Sequence, residues 1–106
     1  KDQEELLKEL VKDKFQVIIT QIAAEGFDKK WLGRKLTRNT ISKLKDLNRR
    51  YKVSVTGEGG EYESFVLDCP LYKNKIEIKK ARKISEGAYR GYFKIGEVEI
   101  KNDPNH

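Results

Sequence analysis

A nearly unbroken apolar run at residues 15–22 (FQVIITQI) constrains the fold of this chain most. Its β-branched residues favour an extended strand, and the weak alternation of polar and apolar positions indicates that both faces of the strand are buried. Such a strand must be covered by another layer, as in folds that pack helices on a sheet. The chain must therefore supply helices that each have an apolar face.

Two amphipathic segments meet that requirement. The first is predicted to begin near Asp2 and to end near Lys14, and the second covers roughly residues 40–51, with Thr37 or Asn39 as its N-cap. Both place apolar residues on one face at helical spacing. These are Leu6, Leu7, Leu10 and Val11 in the first helix and Ile41, Leu44, Leu47 and Tyr51 in the second.

Three more strands are predicted after the second helix. Residues 65–67 form a short apolar run, and residues 75–79 (KIEIK) alternate between polar and apolar. Residues 84–88 are typical of a turn. The apolar positions of residues 92–100 change parity, and a bulge at residues 96–97 would return them to one buried face. We therefore predict an α+β fold, with two helices packed on a mixed sheet of about four or five strands.

Length and composition indicate one domain, predicted over residues 1–101 with a disordered tail at residues 102–106. The net charge is +6, but it is spread along the chain. The single cysteine excludes an internal disulfide and fits a reducing compartment, so we expect a cytoplasmic location. No apolar run approaches membrane-spanning length. Because the sequence begins with Lys1 and contains no methionine, we interpret it as a piece of a longer protein.

Residues 57–64 (GEGGEYES), which we call the acidic loop, hold three glycines, three carboxylates and one aromatic residue without any basic residue. Two interpretations stay open. One is a charged hairpin turn; the other is an acidic site for a cationic or quaternary-amine group, with an aromatic ring contributing roughly 0.5–2 kcal/mol. The groups available to such a site are three carboxylates and two rings, namely Glu58, Glu61, Glu63, Tyr62 and Trp31.

Several kinds of catalytic and metal site are excluded by residue type. The only histidine is His106, so Ser-His and Cys-His nucleophilic systems cannot form, and Cys69 is interpreted as a buried apolar residue. A zinc site lacks ligands, and no calcium-binding loop spacing occurs. Four acidic residues could bind magnesium, but no spacing supports it, and no metal site is predicted; they are Glu58, Glu61, Glu63 and Asp68. No catalytic residue can be assigned.

The segment Trp31-Leu32-Gly33-Arg34 contains the only tryptophan. A single tryptophan is most often a core residue or a lid over the core. Here Glu25, Asp28 and Arg34 would form a polar rim around it.

These segments together resemble the C-terminal half of the diphthine–ammonia ligases, which are N-type (PP-loop) ATP pyrophosphatases. The resemblance covers about residues 2–100 and rests on residues 24–26 (AEG), residues 31–34 (WLGR) and the acidic loop, followed by Leu67, Asp68 and Pro70. It implies an enzyme that uses ATP to activate the carboxylate of diphthine, a modified histidine on translation elongation factor two. Ammonia then displaces AMP to give diphthamide.

The resemblance also implies a set of substrate-binding residues in a substrate-recognition domain. They are Glu25, Trp31, Arg34, Glu58, Gly59, Gly60, Glu61, Tyr62 and Glu63. Ser64 stands where the family commonly has Thr, and it keeps the hydroxyl. The Ser-Gly-Gly-x-Asp-Ser loop that would hold the ATP phosphates is absent from the sequence. We therefore expect ATP, with Mg, to be bound by an N-terminal domain outside this chain, and we expect this chain to be inactive alone.

The resemblance gives two expected partners, that N-terminal ATP-binding domain and elongation factor two carrying diphthine. Two other functions stay open. One is binding of RNA or tRNA by basic residues, namely Lys43, Arg49, Arg50, Lys79, Lys80, Arg82 and Lys83. Nucleic acid is not the expected partner, because Tyr89 and Tyr92 form no recognised RNA-binding motif. The other is a homo-oligomer that pairs through a spare sheet edge.

Overall fold

The described part of the chain contains two α-helices, one short 3-10 helix and four strands. A computed structural model describes residues 3–57 and 59–102. In chain order the elements are helix α1 (Gln3–Lys12), strand β1 (Gln16–Ala23), a short 3-10 helix (Lys29–Trp31), helix α2 (Arg38–Tyr51), and strands β2 (Tyr62–Asp68), β3 (Asn74–Ser85) and β4 (Arg90–Asn102). The predicted α+β class is confirmed.

The four strands form one sheet in the order β2-β1-β4-β3, and every pair is antiparallel. The predicted mixed sheet is therefore wrong. Parallel neighbours need a crossover of a dozen or more residues. Only residues 86–89 join β3 to β4, which is a hairpin connection, and β1 lies antiparallel to both of its neighbours.

Strand β1 lies inside the core, as its apolar run predicts. Val17, Ile18 and Ile19 are three consecutive residues that are all buried, and Ile22 is buried as well. Since successive side chains of a strand point to opposite faces, both faces of β1 are covered. Residues of α2 and of the turn after β1 complete this core, chiefly Phe27, Leu32, Ile41 and Leu44.

The ends of α2 are closed by local hydrogen bonds. Thr37 is the N-cap, and its Oγ1 accepts a hydrogen bond from the backbone N–H of Thr40 at 3.2 Å. The helix begins at Arg38, two residues before the prediction. It ends at Tyr51. The capping residue that follows, Lys52, has a left-handed backbone (φ 59°) and donates its N–H to the Asn48 carbonyl at 3.0 Å.

The predicted apolar faces of the helices are only partly buried. Leu7 is buried in α1, whereas Leu6 is 42% exposed, and Tyr51 at the end of α2 is 41% exposed. Helix α1 also ends at Lys12, earlier than predicted, and Lys14 then turns the chain with a φ of 65°.

Strands β3 and β4 form a hairpin that is longer than predicted, since β3 continues to Ser85. The predicted irregularity near Gly96 is confirmed, because the register shifts between the pairs Lys80↔Glu97 and Ala81↔Ile95. The prediction that the apolar residues of β4 share one buried face is wrong. Val98 and Ile100 are 46% and 60% exposed.

Val98 and Ile100 are exposed because β4 pairs with β1 over only a short part of its length. The two strands pair only at residues 90–92 of β4. Beyond them, residues 33–36 take the place beside β1, with Gly33 donating its N–H to the Ile19 carbonyl at 2.8 Å and Leu36 donating to the Val17 carbonyl at 2.8 Å. The rest of the hairpin diverges from β1 and leaves a cleft of about 380 Å³ that Ile18 and Ile76 line.

Within the described residues, no helix is both long enough and apolar enough to cross a membrane. Asn102, the first residue of the predicted tail, is the last residue of β4. Residues 103–106 of that tail lie outside the described residues.

Candidate functional site

The acidic loop is built from two tight turns between residue 54 and β2. Gly57 donates its N–H to the Ser54 carbonyl at 3.2 Å, and Gly60 donates to the Gly57 carbonyl at 2.9 Å. Both glycines have a positive φ, 75° and 82°. At Gly57 a side chain would also meet the Tyr62 carbonyl oxygen 2.9 Å from its Cβ. Glu58, one of the predicted site residues, lies outside the described residues.

Glu61 folds back across this loop. Its Oε2 accepts a short hydrogen bond from the backbone N–H of Ser54. Its Oε1 is buried and has no hydrogen-bond partner among residues 3–57 and 59–102. Gly59 lies directly against it, since an added Cβ there would be 2.5 Å from Oε1. Counting only the residues that the structure describes, the loop therefore holds one carboxylate oxygen that is shielded from water and has no hydrogen-bond donor.

Tyr62 is a core residue. It is 6% exposed, its hydroxyl donates to the Val55 carbonyl at 2.7 Å, and its ring lies 5.9 Å from the ring of Phe27. Phe27 in turn meets Trp31 edge-on, with 5.1 Å between the ring centroids. The buried series Tyr62–Phe27–Trp31 therefore connects the acidic loop with the segment around Trp31.

The buried phenol gives a testable pH dependence. Burial, with the neighbouring Glu61 carboxylate, raises the pKa of Tyr62 to about 12. The folded state thus favours the protonated phenol, so its contribution is complete below the unfolded pKa near 10 and is lost as the pH rises to about 12. Between those values the parent should lose roughly 2–3 kcal/mol of unfolding free energy relative to Tyr62→Phe, measured by urea denaturation. If the unfolding free energies of the parent and of Tyr62→Phe change in parallel between these pH values, the expectation is wrong. Tyr89→Phe is the control, because it removes a phenol that is exposed.

Trp31 is also buried, at 6% exposure, and the guanidinium of Arg34 lies 4.6 Å from the centre of its ring. The sequence suggested that Trp31 or Tyr62 offers an aromatic face to a cationic ligand. Because both rings are buried, neither presents an open face. The expected polar rim is present in part. Asp28 caps the 3-10 helix by accepting a hydrogen bond from the Lys30 N–H at 2.9 Å, and Glu25 is exposed in the turn before it.

A groove of about 480 Å³ opens between the 3-10 helix and α2. Trp31 and Leu47 give it an apolar floor, and charged side chains surround that floor. No residue of the described acidic loop lines it. The charged residues are Asp28, Lys30, Arg34, Lys43, Asp46 and Arg49. We call this surface the basic groove.

The turn that carries Arg34 requires glycine at position 33. Gly33 has a φ of 79°, and an added Cβ would lie 2.8 Å from the Phe93 ring. This close contact lets the chain leave the 3-10 helix and run beside β1, where Ile19 donates its N–H to the Arg34 carbonyl at 3.0 Å. The sequence Trp31-Leu32-Gly33-Arg34 is therefore a structural turn that also fixes one wall of the basic groove.

Comparison with known proteins identifies the family. The sequence profile described as the diphthamide synthase C-terminal domain matches residues 2–100. The chain belongs to this family. It is similar to the diphthine–ammonia ligases of Bos taurus (43% identity over 83% of the chain and 33% of that protein), Schizosaccharomyces pombe (45%, 72% and 12%) and Saccharomyces cerevisiae (38%, 71% and 11%). The chain thus spans about a third or less of the length of these relatives.

The substrate-binding residues predicted for this diphthamide synthase domain are divided between two places. The described acidic-loop residues lie together, with Glu61 turned inward and Glu63 exposed on β2. Trp31 and Arg34 lie at the basic groove. The contacts described for Glu61 and Glu63 do not join their carboxylates, so a convergence of the acidic groups is not observed among the described residues.

The basic residues considered for RNA binding are also divided. Lys43 and Arg49 line the basic groove on α2, whereas Lys79 to Lys83 belong to the edge strand β3. Lys79 is neutralised by ion pairs to Glu77 and to Glu99 at 3.2 Å. These residues do not form one continuous cationic element.

Sequence reasoning missed some residues of the site. The role of Ser54 depends on its backbone N–H, which no sequence pattern indicates. Lys30 and Asp46 could have been found, since Lys30 precedes Trp31 and Asp46 follows Lys43 by one helical turn. Among the described residues, no group of three or more His, Cys, Asp or Glu side chains could hold a metal ion.

Proposed function

We propose that this chain is the substrate-recognition domain of an ATP-dependent ligase that converts diphthine on translation elongation factor two to diphthamide, with ammonia as the nitrogen donor. Membership of the diphthamide synthase C-terminal domain family supports the proposal, as does similarity to diphthine–ammonia ligases over most of the chain. The proposal rests most on the buried Oε1 of Glu61 in the acidic loop, which has no hydrogen-bond partner in the described part of the chain.

The chemistry of that oxygen suits the substrate. Diphthine carries a trimethylammonium group, which has a positive charge and no N–H to donate. A carboxylate that is shielded from water attracts such a group more strongly than an exposed one, because the effective dielectric constant is lower. Since the rings of Tyr62 and Trp31 are buried, recognition in this proposal depends on charge, with the Glu61 carboxylate as the main negative group. Glu25, Glu58 and Glu63 remain proposed contributors.

The acidic loop is a poor site for ATP, which the resemblance assigns to an N-terminal domain. The acidic loop would repel the phosphates, the nucleotide loop is absent from the sequence, and no described acidic cluster suits Mg. We therefore propose that ATP and Mg are bound by an N-terminal domain and that this chain does not cleave ATP alone. That domain and elongation factor two are its proposed partners.

A domain exchange tests the proposal. The chain replaces the corresponding C-terminal third of the Bos taurus ligase, and the chimera is incubated with elongation factor two carrying diphthine, ATP and ammonium. We expect the peptide that contains the modified histidine to change in mass from the carboxylate to the amide form, as measured by mass spectrometry. The chain without the ATP-binding domain should release no AMP.

Matched substitutions then test the role of Glu61. Glu61→Gln should slow amide formation by about tenfold or more, since one lost charge interaction in a shielded site amounts to about 1.4 kcal/mol or more. Glu63→Gln removes the same charge from an exposed position and should cost less. If the chimera folds but forms no amide, the proposed function is wrong. If Glu61→Gln is as fast as the parent, only the role of Glu61 is wrong.

A further inference from the structure

The basic groove carries more positive than negative charge, and its cations are not all neutralised. Four basic and two acidic side chains line it, which leaves an excess of two positive charges. Asp46 is paired with Arg49 at 3.3 Å and with Arg50 at 3.5 Å. Asp28 is engaged as the cap of the 3-10 helix. Within the described residues, Lys30, Arg34 and Lys43 take part in no ion pair.

Arg34 is held by contacts of both its side chain and its backbone. Its guanidinium lies over the Trp31 ring, and its backbone is held on both sides, because its N–H donates to the Trp31 carbonyl at 3.2 Å and its carbonyl accepts from Ile19. Stacking fixes the plane of the guanidinium fork, so less side-chain entropy is lost when it binds an oxyanion. The groove therefore presents a positioned guanidinium group with two ammonium groups beside it, those of Lys30 and Lys43.

We propose that the basic groove is a binding site for a phosphate group carried by a small molecule, whether inorganic phosphate or the phosphate of a nucleotide. A phosphate ester has a charge of about −1.5 to −2 at pH 7, which matches the excess charge of the groove better than a monovalent carboxylate does. Guanidinium binds phosphate oxygens in a bidentate manner, and lysines add charge. The hydroxyl of Ser42, which also lines the groove, is available as a further donor.

This site is separate from the one used in the proposed function. The proposed recognition of diphthine depends on Glu61 and its neighbours, and no described residue of the acidic loop lines the basic groove. The two proposals can therefore fail independently of one another.

Titration of the chain with inorganic phosphate and with AMP tests the inference, with sodium acetate at equal ionic strength as the monovalent control. Calorimetry gives the affinity. Fluorescence of Trp31, the only tryptophan, reports the location because Arg34 lies on its ring. We expect saturable binding of both phosphate compounds, weaker binding of acetate, and a loss of affinity with added salt. Tighter binding of AMP would identify a nucleotide as the source, and equal binding would identify the phosphate group alone.

Charge-removing variants locate the site. Lys30→Gln and Lys43→Gln should each weaken phosphate binding by about fivefold, which corresponds to one charge contact near water. Lys45→Gln is the matched control, because Lys45 lies on the same helix but pairs with Glu4 at 3.1 Å outside the groove. It should change affinity by less than about twofold. Absence of saturable binding, acetate binding as tightly as phosphate, or an equal effect of Lys45→Gln would overturn the inference.

Discussion

Replacing Phe27 with Ala is expected to lower the free energy of unfolding by about 3–5 kcal/mol, the largest single loss anticipated in this domain. Phe27 is 1% exposed, and its ring lies between those of Trp31 and Tyr62, at 5.1 and 5.9 Å. Its removal leaves a cavity that two neighbours fixed by hydrogen bonds and packing cannot fill. Urea denaturation followed by Trp31 fluorescence gives the measurement.

Phe65→Ala provides the comparison for that variant, because it removes the same side chain from β2, where Phe65 is 39% exposed. Its cost should stay below about 1 kcal/mol. Equal losses for the two variants would contradict the interpretation of Phe27 as the central residue of the aromatic series. If Phe27→Ala is unfolded at the outset, Phe27→Leu should fold with a smaller loss of about 1–2 kcal/mol.

Gly91→Ala should cost the next largest amount, about 2–3 kcal/mol, measured in the same way. An added Cβ would lie 2.5 Å from the carbonyl oxygen of Ile84 and 3.3 Å from Leu32 Cδ1. The backbone at Gly91 pairs with Ile22 of β1 on one side and with Ser85 of β3 on the other. Neither β1 nor β3 can move away from Gly91 without breaking its hydrogen bonds with β4.

The control for this second prediction lies on the same strand. At Gly96 the nearest atom to an added Cβ is the Lys80 carbonyl oxygen at 3.7 Å, an ordinary contact. Gly96→Ala should therefore change the unfolding free energy by less than about 1 kcal/mol. A loss as large as that of Gly91→Ala would show that alanine is poorly tolerated anywhere in β4 and that the close contact is not the cause.

Phe27 links the two candidate surfaces, the acidic loop and the basic groove. The acidic loop and the basic groove share no described lining residue, yet Tyr62 and Trp31 meet the same ring. A change at Phe27 should therefore disturb both surfaces, whereas a change at Lys43 or Glu61 should disturb one. Comparing phosphate binding and amide formation in these variants therefore checks that the two proposed sites are separate.

Local patterns predicted much of the fold. The apolar run of β1, the stripe of α2 with its Thr37 cap, and the irregularity at Gly96 are each determined by a few neighbouring residues. The direction of the strands was not predictable in the same way. It depends on which strands become neighbours, and a mixed sheet satisfies the same hydrophobic pattern.

The site was predicted less completely, because its geometry depends on contacts between distant segments. The resemblance to diphthine–ammonia ligases identified the acidic loop and the segment around Trp31, and the family is confirmed. The burial of Tyr62 follows from its meeting with Phe27, which is distant in sequence. The inward turn of Glu61 follows from its hydrogen bond to the Ser54 backbone. Neither contact leaves a pattern in the residue types alone.

The divergence of β4 from β1 has a mechanical consequence. Near Gly91 the strand has neighbours on both sides, but beyond Tyr92 it continues with β3 alone. A two-stranded ribbon twists more freely than a strand held within a sheet. The four-stranded part of the sheet therefore continues, beyond residues 90–92 of β4, as a two-stranded ribbon that should bend more readily than the sheet it leaves.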